Sequence, residues 1–156
     1  MKTKFYFFIL LFGILFASCK PELSTKEFMV DSWETTYLKI EMYTVNNTDS
    51  LQVYEDKFED NSELIAQSKY NKDGTFSSWF INKKGEQISK ATGNWSVVAD
   101  SLLVAFNYGG RDMKVSYDIT KTDEGFIGRS KYDWDEDGDF DDLLTMKTKR
   151  IKTNKN

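Results

Sequence analysis

Residues 113–119 read Met113-Lys114-Val115-Ser116-Tyr117-Asp118-Ile119. Met113, Val115, Tyr117 and Ile119 share one side of an extended chain, and Lys114, Ser116 and Asp118 share the other. Successive side chains of a strand point to opposite faces, so this alternation predicts a strand with one face in a core and one in water. The pattern recurs in both directions along the chain. Residues 33–45 group Leu38, Ile40 and Met42, and residues 101–107 group Leu102, Val104 and Phe106. Residues 74–82, 86–98, 126–134 and 142–151 are rich in Phe, Trp, Thr, Val and Tyr, which fit a pleated, half-buried surface. Between these runs lie Asn46-Asn47-Thr48-Asp49, Asn71-Lys72-Asp73-Gly74, Asn82-Lys83-Lys84-Gly85, Tyr108-Gly109-Gly110, Thr122-Asp123-Glu124-Gly125 and Asp137-Gly138. Gly and Asn supply the positive φ that tight hairpin turns require.

The stretch 51–70 is less periodic. Leu51, Val53 and Tyr54 begin as a strand, Glu55-Asp56-Lys57-Phe58-Glu59 suits a helical turn equally well, and residues 64–70 read as another strand. The sum is eight or nine antiparallel strands with no helix between them. Such a run of hairpins predicts an all-β fold, an antiparallel up-and-down barrel of about eight strands, with a β-sandwich as the alternative. Eight strands enclose either packed side chains or one small ligand.

The chain has 156 residues, one cysteine and no histidine. This excludes Ser-His-Asp and Cys-His nucleophilic centres, imidazole metal sites, an internal disulfide and cysteine-rich metal clusters. Lys2 and Lys4 precede an uncharged run, FYFFILLFGILFAS, at 5–18. A transmembrane helix needs about 20 apolar residues. This run is shorter, basic at its start and small-residue at its end, the pattern of a secretory signal peptide. Residues 19–30, which hold the only proline, read as a tether, 31–152 as the barrel and 153–156 as a polar tail. Removal of residues 1–18 takes the formal charge from −4 to −6, because Lys2 and Lys4 leave and no acid does. An acidic surface of this kind disfavours nucleic acid.

The run ends at Leu15-Phe16-Ala17-Ser18-Cys19, which resembles the bacterial lipoprotein signal, with Phe16 where that pattern usually has an aliphatic residue. The resemblance implies that Cys19 is acylated and becomes the mature N-terminus, holding the protein to lipid in the outer membrane or periplasm. Two or three acyl chains make such an anchor effectively permanent. Lys20-Pro21-Glu22 lacks the acidic cluster that resembles a surface-export signal, which favours the periplasmic side.

Further on come Trp33, YNKDGTF at 70–76, TGNW at 92–95, DSL at 100–102, an alternating strand ending at Ile119, GF at 125–126, YDWDEDGDFDD at 132–142 and KR at 149–150. In this order they resemble the small lipocalin-like lipoproteins of Bacteroidota over residues 31–152. The resemblance implies a calycin-type barrel on a lipid anchor. Lipocalins place G-x-W before the first strand and cover that tryptophan with an arginine from the last. Here Trp33 and Arg150 are the candidate barrel-closing pair, with Asp31 in place of the glycine. Such a cation–π contact contributes about 0.5–2 kcal/mol.

Residues 133–142, DWDEDGDFDD, hold seven acids in ten. Asp133, Asp135, Asp137 and Gly138 match the first half of a calcium loop, in which alternate carboxylates converge on a hard cation and glycine permits the sharp turn. Asp139 offers a carbonyl and Asp141 the water-bridged position. Leu144 occupies the twelfth position, where a bidentate Glu is usual, and Asp142 is the nearest substitute. With oxygen ligands alone, calcium is favoured over zinc or copper. The alternative is a solvated acidic turn.

Tyr37, Phe76, Phe80, Trp95, Phe106, Tyr117, Phe126 and Tyr132 are candidates to line a ligand cavity, or else core. Glu55/Asp56 and Glu59/Asp60 have no identifiable nucleophile or oxyanion donor beside them, so no enzyme is expected. The sequence thus points to an anchored binding module for a small apolar or carbohydrate ligand, or for a partner complex. The alternative is a structural or interaction lipoprotein with a filled barrel and a calcium-stabilised acidic loop.

Overall fold

The computed structural model describes residues 23–43, 48, 50–59 and 63–152. Cys19, the signal segment and the tail at 153–156 lie outside the described residues. A short helix, α1 (Thr25–Met29), precedes nine strands: β1 (Ser32–Met42), β2 (Gln52–Asp56), β3 (Leu64–Tyr70), β4 (Thr75–Asn82), β5 (Gln87–Val98), β6 (Ser101–Tyr108), β7 (Arg111–Lys121), β8 (Gly125–Tyr132) and β9 (Asp142–Arg150). From β3 to β9 each strand pairs antiparallel with the next. β1 pairs with β3 on one edge and with β9 on the other, which closes an eight-stranded antiparallel barrel.

β2 lies outside that ring. Residues 32–34 of β1 pair with β3, while residues 38–42 pair with β2 on the same edge. The ambiguous stretch 51–70 therefore resolves into two strands of different standing. Leu51, Val53 and Tyr54 are about half exposed. A strand with no buried face has no period for a sequence to display.

The β7 alternation holds as read, with Met113, Val115 and Tyr117 buried and their neighbours exposed. In β1 the face changes. A bulge between Thr35 and Tyr37 shifts the register against β9, so Leu38 and Ile40 pack against the core. An extra residue in one strand reverses the side-chain parity beyond it. Gly93 and Gly125 mark close approaches, since a Cβ would meet Ala105 O at 1.9 Å and Thr148 O at 2.1 Å respectively.

One end of the barrel is closed by packed groups. Trp33 is fully buried, and its Nε1 donates to Met29 O at 3.0 Å. Phe126 meets it edge-on at 5.0 Å and Phe28 lies tilted at 5.3 Å. Helix α1 lies in the stretch whose composition reads as a tether. It forms because Ser24 and Glu27 make a reciprocal capping box, and it buries Thr25 and Met29 against the barrel. Thr25 Oγ1 is bound to the β5–β6 turn through Asp100 at 3.2 Å.

Arg150 covers this plug, its guanidinium carbon 4.5 Å from the centroid of Trp33 and 5.3 Å from that of Phe28. Its nitrogens donate to the Asp31 carboxylate and, at 3.3 Å, to Phe28 O. Asp31 stands where the lipocalin pattern has glycine, and here it supplies the counter-charge that holds the guanidinium over the rings. Arg150→Ala removes the stacking and the packed stem together. The expected result is a loss of about 2 kcal/mol in the urea unfolding midpoint analysis, with Arg150→Lys recovering less than half because lysine lacks the planar fork.

Candidate ligand cavity and acidic loop

The other end of the barrel is built differently. It carries the β4–β5, β6–β7 and β8–β9 connections, opposite the plug. Toward it lies a cavity of about 310 Å³. The space exists because Thr35, Ala66, Ser68 and Ser78 contribute small side chains to its wall, and Ser68 faces Ser78 directly across the β3–β4 ladder. Rings supply much of the rest: Tyr70, Phe76, Phe80, Phe106, Tyr108, Tyr117 and Trp134. None of the lining residues is Asp, Glu, Lys or Arg, so the cavity suits an uncharged guest. Burial pushes the phenols of Tyr70 and Tyr117 far above the usual tyrosine range and keeps both neutral.

Phe76, Phe80, Phe106 and Tyr117, read from sequence as cavity candidates, are brought together on this wall. Tyr37, Trp95 and Phe126 are not on it. Tyr37 follows the β1 bulge and packs under Lys147, whose Nζ is 5.0 Å from its centroid. Trp95 lies edge-on to Tyr70 at 5.5 Å and donates to Asn71 O at 2.9 Å, so it is core at the β3–β4 turn. Phe126 belongs to the plug under Trp33. Tyr132 packs on Trp134 and Phe140 instead. Sequence reasoning missed the rings of Tyr70, Trp79, Tyr108 and Trp134 and, with them, the small residues that open the space. The signal was present in β3 and β4, where Ala66, Ser68 and Ser78 share the period-2 face of Tyr70 and Phe76.

The segment read as strand 126–134 ends at Tyr132, and Trp134 opens the acidic loop. Asp142 organises that loop. It is 1% exposed, and its oxygens accept from Tyr43 N at 3.0 Å, Trp134 N at 2.7 Å and Asp135 N at 3.3 Å. Asp135 and Asp137 each accept from the backbone N–H two residues on, at 3.2 and 2.8 Å. Glu136 and Gly138 take positive φ, and Glu136 pairs with Arg111 at the start of β7. The loop is thereby fixed to β1 on one side and β7 on the other.

Carboxylate oxygens of Asp133, Asp135 and Asp142 lie within 4.8 Å of one another, a grouping able to hold a metal ion. Asp142 already serves three backbone donors. Within the loop, the buried oxygens without a hydrogen-bond partner among the described residues are Asp133 Oδ1, Asp135 Oδ2, Asp137 Oδ2 and Asp141 Oδ1. They come from the first, third, fifth and ninth positions of the loop pattern. Asp139 keeps its side chain outside this set and is exposed. Desolvation, then the charges of Asp142, Asp137 and Asp133, raise the Asp135 carboxyl above the ordinary range.

Asp142→Asn exchanges an acceptor for an amide donor facing backbone N–H groups. It is expected to cost about 2–3 kcal/mol in urea unfolding, more than Asp139→Asn at the exposed tip. Comparison of this chain with protein-family models, with curated proteins and with solved structures gives no match.

Proposed function

We propose that this chain is a lipid-anchored binding module whose barrel holds a small, uncharged, largely apolar ligand. The observation that carries the reading is the cavity of about 310 Å³ with no charged residue on its wall. Its size falls at the low end of the range typical of small-molecule sites, about 300–1,000 Å³. The absence of charge favours an apolar or aromatic guest over a highly hydroxylated sugar, which needs several convergent polar groups. The protein's role is retention or delivery rather than catalysis. In this reading the architecture belongs with the lipocalin-like lipoproteins of Bacteroidota, whose ordered motifs it resembles. Cys19 carries the acyl chains, in the outer membrane or periplasm, with the periplasmic side favoured.

A second part of the reading concerns the loop. Four buried carboxylate oxygens without partners favour a hard divalent cation, calcium, as a structural ion that pins the β8–β9 connection. The donors fit such an ion in type: carboxylate oxygens of Asp133, Asp135 and Asp142 lie within 4.8 Å of one another, and Asp133, Asp135, Asp137 and Asp141 offer oxygens without partners.

The mature chain from residue 19, carrying Cys19→Ser, is expected to bind the neutral dye N-phenyl-1-naphthylamine with a rise in fluorescence. Ser78→Phe fills the cavity and is expected to weaken binding at least about tenfold while circular dichroism stays that of the parent. Equal dye affinity in a folded Ser78→Phe variant would overturn the reading. For the anchor, the unaltered chain expressed in a lipoprotein-processing bacterium should fractionate with membranes, and Cys19→Ser should release it. Release of both forms alike would refute acylation.

A further inference from the structure

The cavity and the acidic loop meet in one residue. Trp134 lines the cavity, yet it stands between Asp133 and Asp135 in the chain. Its backbone N–H is held by Asp142 at 2.7 Å, and its ring packs at 5.0 Å from that of Tyr132. Its Nε1 is buried and has no acceptor among the described residues. Native proteins rarely leave such a donor unmatched, so an indole N–H of this kind on a cavity wall points to an acceptor that arrives with a guest. The other buried tryptophan donors differ in this respect: Trp33 and Trp95 each donate to a backbone carbonyl.

We propose that the cavity takes an uncharged, largely apolar ligand bearing a hydrogen-bond acceptor. The Trp134 indole N–H donates to that acceptor, and a divalent cation in the acidic loop holds Trp134 in place for the contact. This rests on the cavity reading and adds the class of ligand and its dependence on the ion. The neutral wall excludes a carboxylate or phosphate as the acceptor, which leaves a carbonyl, ether or hydroxyl oxygen. The ion acts on position. Both residues flanking Trp134 carry unpartnered, buried carboxylate oxygens, as do Asp137 and Asp141. A cation that draws these oxygens together fixes the backbone on either side of the indole before the ligand enters. The ligand then spends less of its binding free energy on ordering the wall. Linkage makes the effect reciprocal, so the ligand tightens the cation by the same factor.

Two neutral dyes of similar size separate the possibilities. One, 6-propionyl-2-dimethylaminonaphthalene, carries a carbonyl whose emission moves to the red when it accepts a hydrogen bond. The other, N-phenyl-1-naphthylamine, has no carbonyl. With the mature chain, calcium in place of EDTA is expected to tighten the carbonyl dye about tenfold, the scale of one hydrogen bond, and to shift its bound emission to the red. The dye without a carbonyl should gain less than about threefold. Trp134→Phe should remove the red shift, and Asp133→Asn with Asp135→Asn should remove the response to calcium. If neither dye binds, the cavity reading falls and this inference with it. If the dyes bind but calorimetry shows no calcium uptake, the inference fails while the cavity reading stands. Equal dye affinities with and without calcium, in a protein that binds both, would also overturn it. The wild-type titration decides the matter even if a variant does not fold.

Discussion

The fold depends on one contact between its two ends. Arg150, at the end of the last barrel strand, lies over Trp33, at the start of the first, and these two residues are also backbone partners in the β1–β9 ladder. The ladder alone joins the first strand to the last, but its end is where a closed sheet frays most readily. The guanidinium ties that end to three further groups on two residues: the Asp31 carboxylate before β1, and the Phe28 carbonyl and ring in α1. Asp31 in turn accepts the Tyr70 backbone N–H through its own carbonyl, at 3.0 Å, and so fastens the end of β3. Closure removes the unpaired strand edges that would otherwise invite association.

Closure at one end has a consequence at the other. A barrel of eight strands has room for about one small ligand beyond its own side chains. Here large groups occupy the plug, with Trp33, Phe126 and Met29 fully buried. The small inward residues of β3 and β4 then leave space toward the opposite end. The β1–β3 seam is only three residue pairs long. Beyond it β1 turns its edge to β2, an external strand with a largely exposed surface. The barrel's own β1–β3 ladder is thus confined to the plug end.

Much of this was legible in the sequence because closure and alternation leave period-2 traces. β7 could be read residue by residue, and the Trp33–Arg150 pair stood at the two ends of the barrel sequence. Four features were not fully legible, each for a physical reason. Tyr37 changed face because the bulge before it adds a residue, and nothing in Thr35-Thr36-Tyr37 announces a bulge. The helix α1 is too short for a 3.6-residue period, although Ser24 and Glu27 carry the capping signature that marks its start. The cavity was legible only in part: Phe76, Phe80, Phe106 and Tyr117 line it, but rings fill space as readily as they line it, and its position is set by the serines, threonine and alanine beside them. In the acidic loop the ligand spacing was visible in sequence, but the role of Asp142 was not. It reads as a substitute ligand, and in three dimensions it serves as a hub for three backbone N–H groups.

The loop and the cavity also explain one another electrostatically. Seven acids crowd beside a cavity whose wall carries no charge, and an acidic rim disfavours entry of anionic guests through Coulomb repulsion alone. Within the loop Asp133, Asp135, Asp137 and Asp141 each keep one oxygen from solvent. Asp142 holds the backbone of Trp134 and Asp135 inward, and Arg111 at the start of β7 engages Glu136. Four buried oxygens are then left without donors, an arrangement that a bound cation would stabilise. A protein that only needed an acidic surface would let these side chains extend. On the reading proposed above, their confinement is a constraint that a cation would relieve, and Trp134, which lines the cavity, is the residue through which the relief would reach it.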